Sequence, residues 1–146
     1  MEIRKLSIDN YDEIYNLWLS TPGMGLNQTD DSKEGIEKYL KRNSDTCFTA
    51  VISDKIVGVI LAGHDGRRGY IHHTAVSIEH RNKGIGSALV NAAEKALIAE
   101  GIHKIALVVF EKNKIGNTFW ENISFTQRDD LIYRNKALSE LIRIDT

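Results

Sequence analysis

The chain has 146 residues, of which 42% are hydrophobic and 27% are charged, and its net charge at pH 7 is −1. This length suits one core, so we predict a single domain over residues 1–146. The near-zero charge argues against nucleic acid as a partner, and no apolar run of about 18 residues is present to span a membrane. A lone cysteine and an N-terminus without the apolar stretch of a signal peptide predict a cytoplasmic protein.

The N-terminal part of the chain predicts a strand followed by a helix. Residues 2–6 alternate in the manner of a half-buried strand. Asp9 or Asn10 can cap a helix that ends before Pro22. The apolar face of that helix consists of Ile14, Leu17 and Trp18.

An irregular segment and a second helix come next. Residues 21–30 contain the only proline of the chain and two glycines, which is typical of a loop. Asp31 and Glu34 have the spacing of a capping box, in which Asp31 accepts hydrogen bonds from the first helical turn and Glu34 reaches back. We therefore predict a helix that is capped by Asp31.

The middle of the chain predicts three consecutive antiparallel strands. Residues 47–52 and 56–62 have the composition of strands, and residues 53–55 form a short polar connection that suits a hairpin. Residues 64–69 then turn the chain into an alternating run over residues 70–77.

A basic turn with two glycines follows this third strand and opens a helix that runs to Gly101. A helix N-terminus has unpaired N–H groups and partial positive charge, which favour an anion. Gly84 and Gly86 have no Cβ to hold a ligand away, and Arg81 and Lys83 add positive charge. We predict that a pyrophosphate binds here, although neither the Walker A pattern nor the dinucleotide pattern fits.

Two further strands are predicted in the C-terminal part. Residues 104–110 are too apolar for a half-exposed strand, so we expect them in the centre of the sheet, parallel to the strand before the glycine turn. Residues 131–138 are expected to close the sheet.

The arrangement of Arg81, Gly84 and Gly86 after a strand that ends in Val resembles the acetyl-coenzyme A (acetyl-CoA) motif of the GCN5-related N-acetyltransferase (GNAT) superfamily. A second signature of that family is similar to the sequence from Asn113 to Phe125. The match is in spacing more than in identity, because Gly116, Trp120 and Ser124 stand where the family has Ala, Tyr and Gly. The resemblance covers nearly the whole chain.

The resemblance implies an α/β (α+β) fold. Its sheet is mixed and mostly antiparallel, with six or seven strands and about four flanking helices. A parallel pair of strands, ending near Ser77 and Phe110, is expected to splay apart.

The resemblance also implies acetyl-CoA as the acyl donor, with no metal. Asn113 would bind the pantetheine arm or help to splay its strand, and its alternative role is to cap the helix over residues 114–122. Trp120 would pack against the thiol arm or the core. The expected cofactor-binding residues are Thr74, Ala75, Val76, Arg81, Asn82, Lys83, Gly84, Ile85, Gly86, Ser87, Asn113 and Trp120.

The catalytic residues implied by the resemblance lie on the strand before the turn. The N–H of Val76 would polarise the thioester carbonyl, and the family's base positions hold His72 and Tyr70. Strand alternation would place Tyr70, His72, Thr74 and Val76 on one face, with His73 and Ala75 on the other.

By this alternation His72 is preferred to His73 as the base, and its ordinary pKa near 6.5 suits proton uptake near neutrality. For each histidine the alternative is a purely structural polar role. Glu79 and Glu111 are reserve bases, with solvated loop charge as their alternative role.

Trp120 departs from the family in a way that concerns the leaving thiolate. Many relatives have a tyrosine there that protonates the thiolate, and an indole N–H cannot act as that acid. The thiolate can leave unaided at a cost of about 10² to 10⁴ in rate. Tyr133 is a candidate substitute, with a core or surface role as its alternative.

The predicted activity is transfer of an acetyl group from acetyl-CoA directly to a primary amine of a small molecule or peptide. The alternatives are a non-catalytic acyl-CoA binding or sensing module and a transferase for a longer acyl-CoA. The loop around residues 24–31 is expected to wall the acceptor site, where Asp30 and Asp31 either face a cationic amine or serve as capping and solvated charges. A homodimer is left open.

Overall fold

The computed structural model describes residues 1–144 of the chain. No helix within these residues is long and apolar enough to cross a membrane. Short 3₁₀ turns at Ile8–Asn10 and Ile78–His80 precede α1 and α3. In chain order the elements are β1 (Glu2–Lys5), α1 (Tyr11–Leu19), β2 (Leu26–Asn27), α2 (Lys33–Arg42), β3 (Phe48–Ile52), β4 (Lys55–His64), β5 (Gly69–Val76), α3 (Ile85–Ala99), β6 (Ile105–Ala106), α4 (Lys114–Asn122) and β7 (Arg143–Ile144).

The main sheet has five strands in the order β1-β3-β4-β5-β6. Its neighbours are antiparallel except β5 and β6, which are parallel. β2 and β7 form a separate antiparallel pair. The mixed α/β class and the parallel pair are therefore confirmed, and the seven described strands are divided between two sheets.

Helices cover both faces of the main sheet. α1 and α2 bury Ile14, Trp18 and Ile36 against one face, together with Val59 and Leu61 of β4. α3 packs against the other face, where Ile60 and Ala62 of β4 join its own apolar residues. We call these the α1/α2 face and the α3 face. The side chains of β4 alternate between them, as the pleat of a strand requires.

α2 begins differently from the expectation. Its N-cap is Ser32, whose Oγ accepts a hydrogen bond from the N–H of Gly35 at 3.0 Å. The predicted cap by Asp31 is wrong because the Asp31 carboxylate is buried and engaged elsewhere. Its oxygens accept from the Asn27 N–H at 2.8 Å and contact the His73 ring at 2.7 Å.

The two predicted C-terminal strands are largely missing. β6 has only two residues and lies at the end of the sheet order, so the prediction of a central strand over residues 104–110 is wrong. β6 pairs with β5 only at Gly69 and Tyr70, and the chain then diverges with Val108 and Phe110 exposed. Residues 131–138 form no strand. An apolar run favours burial, but it does not specify a hydrogen-bonding neighbour.

A β-bulge in β5 overturns the predicted alternation. Val59 lies opposite Ala75, but Leu61 lies opposite His72, so two residues of β5 face Ile60 alone. One of them, His73, has a positive φ of 44°. The extra residue shifts every side chain beyond it to the other face.

The faces of the β5 side chains follow from their neighbours. His72 lies opposite Leu61, and the His73 ring contacts Trp18 with ring centroids 5.2 Å apart, so both histidines are on the α1/α2 face. Val76 packs in the α3 cluster. The prediction that His72 and Val76 share a face, with His73 on the other, is wrong.

Candidate active site

A cleft of about 1260 Å³ opens where the chain after β6 separates from β5. Its other walls are the loop at residues 21–25, the start of α3, α4 and Tyr133. Of the expected cofactor-binding residues and of the residues on the strand before the turn, only Lys83 does not line it; the reserve base Glu79 is also outside it, whereas Glu111 lines it. The cleft brings together Tyr70, His72, Thr74, Ala75, Val76, Arg81, Asn82, Gly84, Ile85, Gly86, Ser87, Asn113 and Trp120.

The N-terminus of α3 opens into this cleft. Gly84 is its N-cap in the left-handed conformation, with φ 78° and ψ 8°, and no side chain caps the helix. Among the described residues, the N–H groups of Ile85, Gly86 and Ser87 have no hydrogen-bond acceptor. The first turn also carries no acidic side chain. These groups form an anion site of the kind expected at a helix N-terminus.

The two positions in the turn are glycine for different structural reasons. Gly84 is required by its positive φ, which other residues rarely adopt. A Cβ there would meet no atom within 4 Å, so the space beside it is open. A Cβ on Gly86 would lie 3.0 Å from the Phe119 ring of α4. Gly86 therefore allows α4 to approach α3, a packing role that was not foreseen from the sequence.

The backbone of Val76 faces the cleft. The Ser77 N–H donates to the Val57 carbonyl at 2.8 Å, which makes Ser77 and Val57 a hydrogen-bonded pair. Bonded and non-bonded pairs alternate between antiparallel strands, so the N–H of Val76 points away from β4. β6 has already left β5 on that side. The Val76 carbonyl accepts a bond from Arg81 Nε at 3.3 Å, which holds the arginine beside the strand end.

His72 is exposed to the cleft and is flanked by aromatic rings. Its ring centroid lies 4.7 Å from that of Tyr70 and 6.0 Å from that of Tyr39. Desolvation by these surroundings lowers the pKa of His72, and the neighbouring His73 lowers it further, whereas Asp31 and Asp30 oppose the shift. A lowered pKa keeps the imidazole neutral, and so able to accept a proton, over a wider pH range.

His73 and Asp31 form a pair that the sequence analysis missed. The side chain of Asp31 is only 4% exposed, and its Oδ1 lies 2.7 Å from His73 Nε2. The His73 carbonyl accepts a bond from Trp18 Nε1 at 3.1 Å. The pair thus joins the loop before α2 to the bulge of β5, and Asp31 is neither a cap nor a solvated charge. Asp30 is exposed and accepts from the Asn27 side chain at 2.9 Å.

Asn113 and Trp120 both have structural contacts of their own. Asn113 Oδ1 accepts from the Gly116 N–H at 2.9 Å, which confirms the expected alternative that Asn113 caps α4. Trp120 packs edge-on against Phe119 and Phe125, with ring centroids 5.0 and 5.1 Å away. Contacts of either residue with a cofactor remain predictions.

Two polar atoms in the cleft wall indicate that a ligand belongs there. Thr74 Oγ1 and His80 Nδ1 are buried and have no hydrogen-bond partner among the described residues. Buried polar groups are rarely left unpaired, so a polar ligand would satisfy them. Together with the anion site, they show that the cleft offers both anion-binding and polar groups to a ligand.

The family of the chain is shown by comparison with known proteins. The model of the Acetyltransferase (GNAT) family matches residues 11–125. Acetyltransferase SG1711 of Sodalis glossinidius is 32% identical over 140 residues, covering 96% of this chain and 97% of its own. Acetyltransferase plu1384 of Photorhabdus laumondii is 35% identical over 132 residues, covering 88% of each.

Solved structures share the fold at low identity. Ard1 from Thermoplasma volcanium has a TM-score of 0.76 at 18% identity, covering 86% of this chain and 82% of its own. AAC(6')-Iy in complex with a CoA bisubstrate analogue has a TM-score of 0.70 at 17% identity, covering 93% and 97%. With the family match and the two relatives, these findings establish that the chain belongs to the acetyltransferase (GNAT) family and is an acyltransferase enzyme.

Proposed function

We propose that this enzyme transfers the acetyl group of acetyl-CoA directly to a primary amine of a small molecule or peptide. One observation carries the proposal. The uncapped N-terminus of α3 and the outward-facing N–H of Val76 line the same cleft, where they can hold a pyrophosphate and a thioester carbonyl.

Different cofactor-binding residues would bind different parts of acetyl-CoA. The N–H groups of Ile85, Gly86 and Ser87 bind the pyrophosphate, with Arg81 and Asn82 at its edge. Thr74 and Asn113 remain for the polar groups of the pantetheine arm, since Thr74 Oγ1 has no partner in the described part of the chain and Asn113 caps α4 through its Oδ1. The bisubstrate analogue bound by AAC(6')-Iy, a protein of the same fold, contains CoA, which supports this donor.

His72 would be the base, acting directly or through a water, with Tyr70 beside it. Its exposed ring and lowered pKa support the role, because a neutral imidazole must be present before it can take a proton. His73 is less suited because its Nε2 is held by the buried Asp31 carboxylate. This preference for His72 now rests on hydrogen bonding rather than on strand alternation.

Direct transfer is supported by the burial of the only thiol in the chain. Cys47 is fully buried, and desolvation raises its pKa to about 12. It is also absent from the cleft wall, so it cannot accept the acetyl group from the donor. The amine would attack the thioester while the Val76 N–H stabilises the negative charge that forms on its oxygen, and the CoA thiolate leaves with or without help from Tyr133.

The walls of the cleft favour an acceptor with a single amine. In the part of the chain that the structure describes, Glu111 is the only carboxylate that lines the cleft, whereas Arg81 and Lys114 are cationic. Aromatic rings at Tyr70, Phe110 and Tyr133 provide apolar surface instead. A strongly polycationic acceptor would therefore find little charge complementarity.

The remaining parts of the proposal concern the whole protein. We propose one domain over residues 1–146, a cytoplasmic location, and a reaction without metal or nucleic acid. The single buried thiol supports the location, and the near-zero net charge supports the absence of nucleic acid.

The experiment is to follow the release of free CoA thiol from acetyl-CoA with a panel of monoamines, polyamines and peptide amines. We expect turnover with monoamines and weaker turnover with polycations. Binding of acetyl-CoA without turnover of any amine would favour the binding or sensing module. A series of longer acyl-CoA donors tests the other alternative, which would be favoured if they reacted faster than acetyl-CoA.

A further inference from the structure

Tyr39 of α2 contacts the ring of His72 from inside the fold. The centroids of the two rings are 6.0 Å apart and their planes meet at 88°, which is an edge-to-face contact. His72 also contacts the ring of Tyr70 on its own strand, with centroids 4.7 Å apart. Tyr70 lines the cleft, whereas Tyr39 does not and packs instead against the apolar cluster of the α1/α2 face. Tyr39 therefore contacts His72 without contacting the ligand.

The position of Tyr39 is fixed by contacts with β4. The Tyr39 carbonyl accepts hydrogen bonds from the N–H of Asn43 at 2.9 Å and from its side-chain Nδ2 at 3.3 Å. Asn43 Oδ1 accepts in turn from the N–H of His64 at 3.1 Å, which joins the end of α2 to the end of β4. A Cβ on Gly63 would lie 2.5 Å from the Tyr39 hydroxyl oxygen, so glycine there makes room for the phenol. Both the main chain and the side chain of Tyr39 are thus held against β4.

The hydroxyl of Tyr39 does not explain its contact with His72. It is buried and has no hydrogen-bond partner among the described residues. Desolvation raises the pKa of this phenol, so it stays neutral and provides no charge that could act on the histidine. An unpaired buried hydroxyl is itself unfavourable. The part of Tyr39 that serves His72 is therefore the aromatic ring.

His72 depends on such a neighbour for its orientation. The χ2 angle of a histidine has a broad distribution, so the side chain does not orient its own ring. His73 is oriented by the 2.7 Å contact of its Nε2 with Asp31, whereas the contacts of the His72 ring are with other rings. A base must point toward the proton that it removes. Contact with a ring can orient an imidazole without a hydrogen bond to either nitrogen, which leaves the nitrogens for the amine or a water.

We propose that Tyr39 is a positioning residue for the base, because its ring holds the imidazole of His72 in the orientation that faces the acceptor amine. The inference rests on the proposed role of His72. The ring of Tyr39 also excludes water from part of the imidazole, in agreement with desolvation as the largest cause of the lowered pKa of His72. A substitution of Tyr39 leaves unchanged the other titratable groups around His72, which are Tyr70, His73, Asp30 and Asp31.

Tyr39→Leu tests the proposal, and Tyr39→Phe is its conservative partner. In Tyr39→Leu, kcat should fall by about 3- to 10-fold, which corresponds to the contribution of one edge-to-face contact. The KM for acetyl-CoA should not change, because Tyr39 does not line the cleft. Tyr39→Phe keeps the ring, so its kcat should stay within about two-fold of the parental value.

The pH profile provides a readout that a loss of stability alone would not change. In Tyr39→Leu the imidazole of His72 loses part of its desolvation, so the acid limb should move to higher pH, toward 6.5. Tyr39→Phe should keep the parental limb. Titration of the His72 ring by nuclear magnetic resonance should show the same shift without any acceptor amine, and a parental titration in Tyr39→Leu would overturn the proposal.

Tyr15→Leu is the matched control. Tyr15 packs against the same apolar cluster as Tyr39, but its ring stacks on Tyr11 rather than on His72. This variant should lower the free energy of unfolding and leave kcat and the acid limb at their parental values. Circular dichroism checks that every variant is folded. If Tyr39→Leu does not fold, Tyr39→Met replaces it with the same expected directions.

A double-mutant cycle with His72→Gln separates this inference from the proposed function. In the His72→Gln background, Tyr39→Leu should not lower kcat further, because the side chain that it positions is gone. A parental kcat in His72→Gln would refute the base and the positioning role together. A lowered kcat in His72→Gln with a parental kcat in Tyr39→Leu would overturn the positioning role alone. An equal fall of kcat in Tyr39→Leu and Tyr15→Leu would overturn it as well.

Discussion

At the scale of single residues, the proposed chemistry depends on how two neighbouring histidines are held. His72 has its ring exposed to the cleft and its pKa lowered, chiefly by desolvation. His73 is held by Asp31 through a contact of 2.7 Å. The two rings are only 6.2 Å apart, yet their partners suit them to different roles.

His72→Gln is expected to lower kcat by about 10² to 10⁴, because glutamine keeps a polar side chain but takes up no proton. In the parent, activity should be lost as the pH falls through the pKa of His72, which lies below the ordinary value of 6.5. The variant should lack this acid limb in its pH profile. His73→Gln should lower the free energy of unfolding and leave the acid limb in place. A parental pH profile in His72→Gln would show that another group is the base.

Trp120→Tyr is expected to raise kcat, most clearly above pH 7, because a phenol in the cleft wall can protonate the leaving thiolate. Cofactor affinity should not tighten. Trp120→Phe is the matched control, since it keeps a ring between Phe119 and Phe125 but provides no acid. If kcat falls equally in both variants, the indole is needed for packing and the acid, if one exists, is elsewhere.

At the scale of elements, the conformation of the turn between β5 and α3 is set by residues within the turn. Gly84 adopts a φ that other residues avoid, and the helix starts without a side-chain cap, which leaves its N–H groups available. The opposite end of α3 is followed by Gly101, whose φ of 81° is equally left-handed. Substitutions at these two glycines can therefore distinguish the effect of backbone strain from the effect of a side chain that blocks the ligand.

Gly84→Val should abolish measurable acetyl-CoA binding by calorimetry, because its side chain would enter the open space at the turn. Gly101→Val is the control. It carries the same backbone penalty, of about 1 to 3 kcal/mol, also has no atom within 4 Å of its added Cβ, and lies outside the cleft. Circular dichroism should show both variants folded. Equal loss of binding in the two would mean that strain, not obstruction, is responsible.

At the scale of the whole molecule, the sheet separates two apolar clusters, and β5 contributes residues to both. Ala75 packs with α1 and α2, whereas Ile71 and Val76 pack with α3. The contact between Asp31 and His73 links the loop before α2 to this strand across 42 residues of sequence. The geometry of the cleft thus depends on contacts that cross the fold.

Asp31→Ala should lower the free energy of unfolding by about 3 kcal/mol, because it leaves His73 and the Asn27 N–H without their buried partner. Urea denaturation would measure this loss. Asp30→Ala, at the adjacent and exposed position, should change the stability by less than about 0.5 kcal/mol. Similar effects of the two substitutions would contradict a structural role for the buried pair.

Local sequence was sufficient to predict some features of the site. The left-handed glycine, the helix that begins after it and the parallel strands on either side of that helix depend on turn chemistry and periodicity over short stretches. For the same reason the hairpin between β3 and β4 was predicted, and its Ser53 and Asp54 have positive φ values of 50° and 61°. The order of elements then placed nearly all of the expected cofactor residues along one cleft.

Tertiary structure decided the features that depend on distant partners. Sequence alternation cannot reveal a bulge, so it placed His72 with Val76, whereas the pairing of β4 with β5 separates them. Asp31 has the spacing of a cap, but it is buried because a histidine 42 residues away contacts it. The apolar runs over residues 104–110 and 131–138 predicted strands, but a strand requires a neighbour to accept its hydrogen bonds, and composition alone does not provide one.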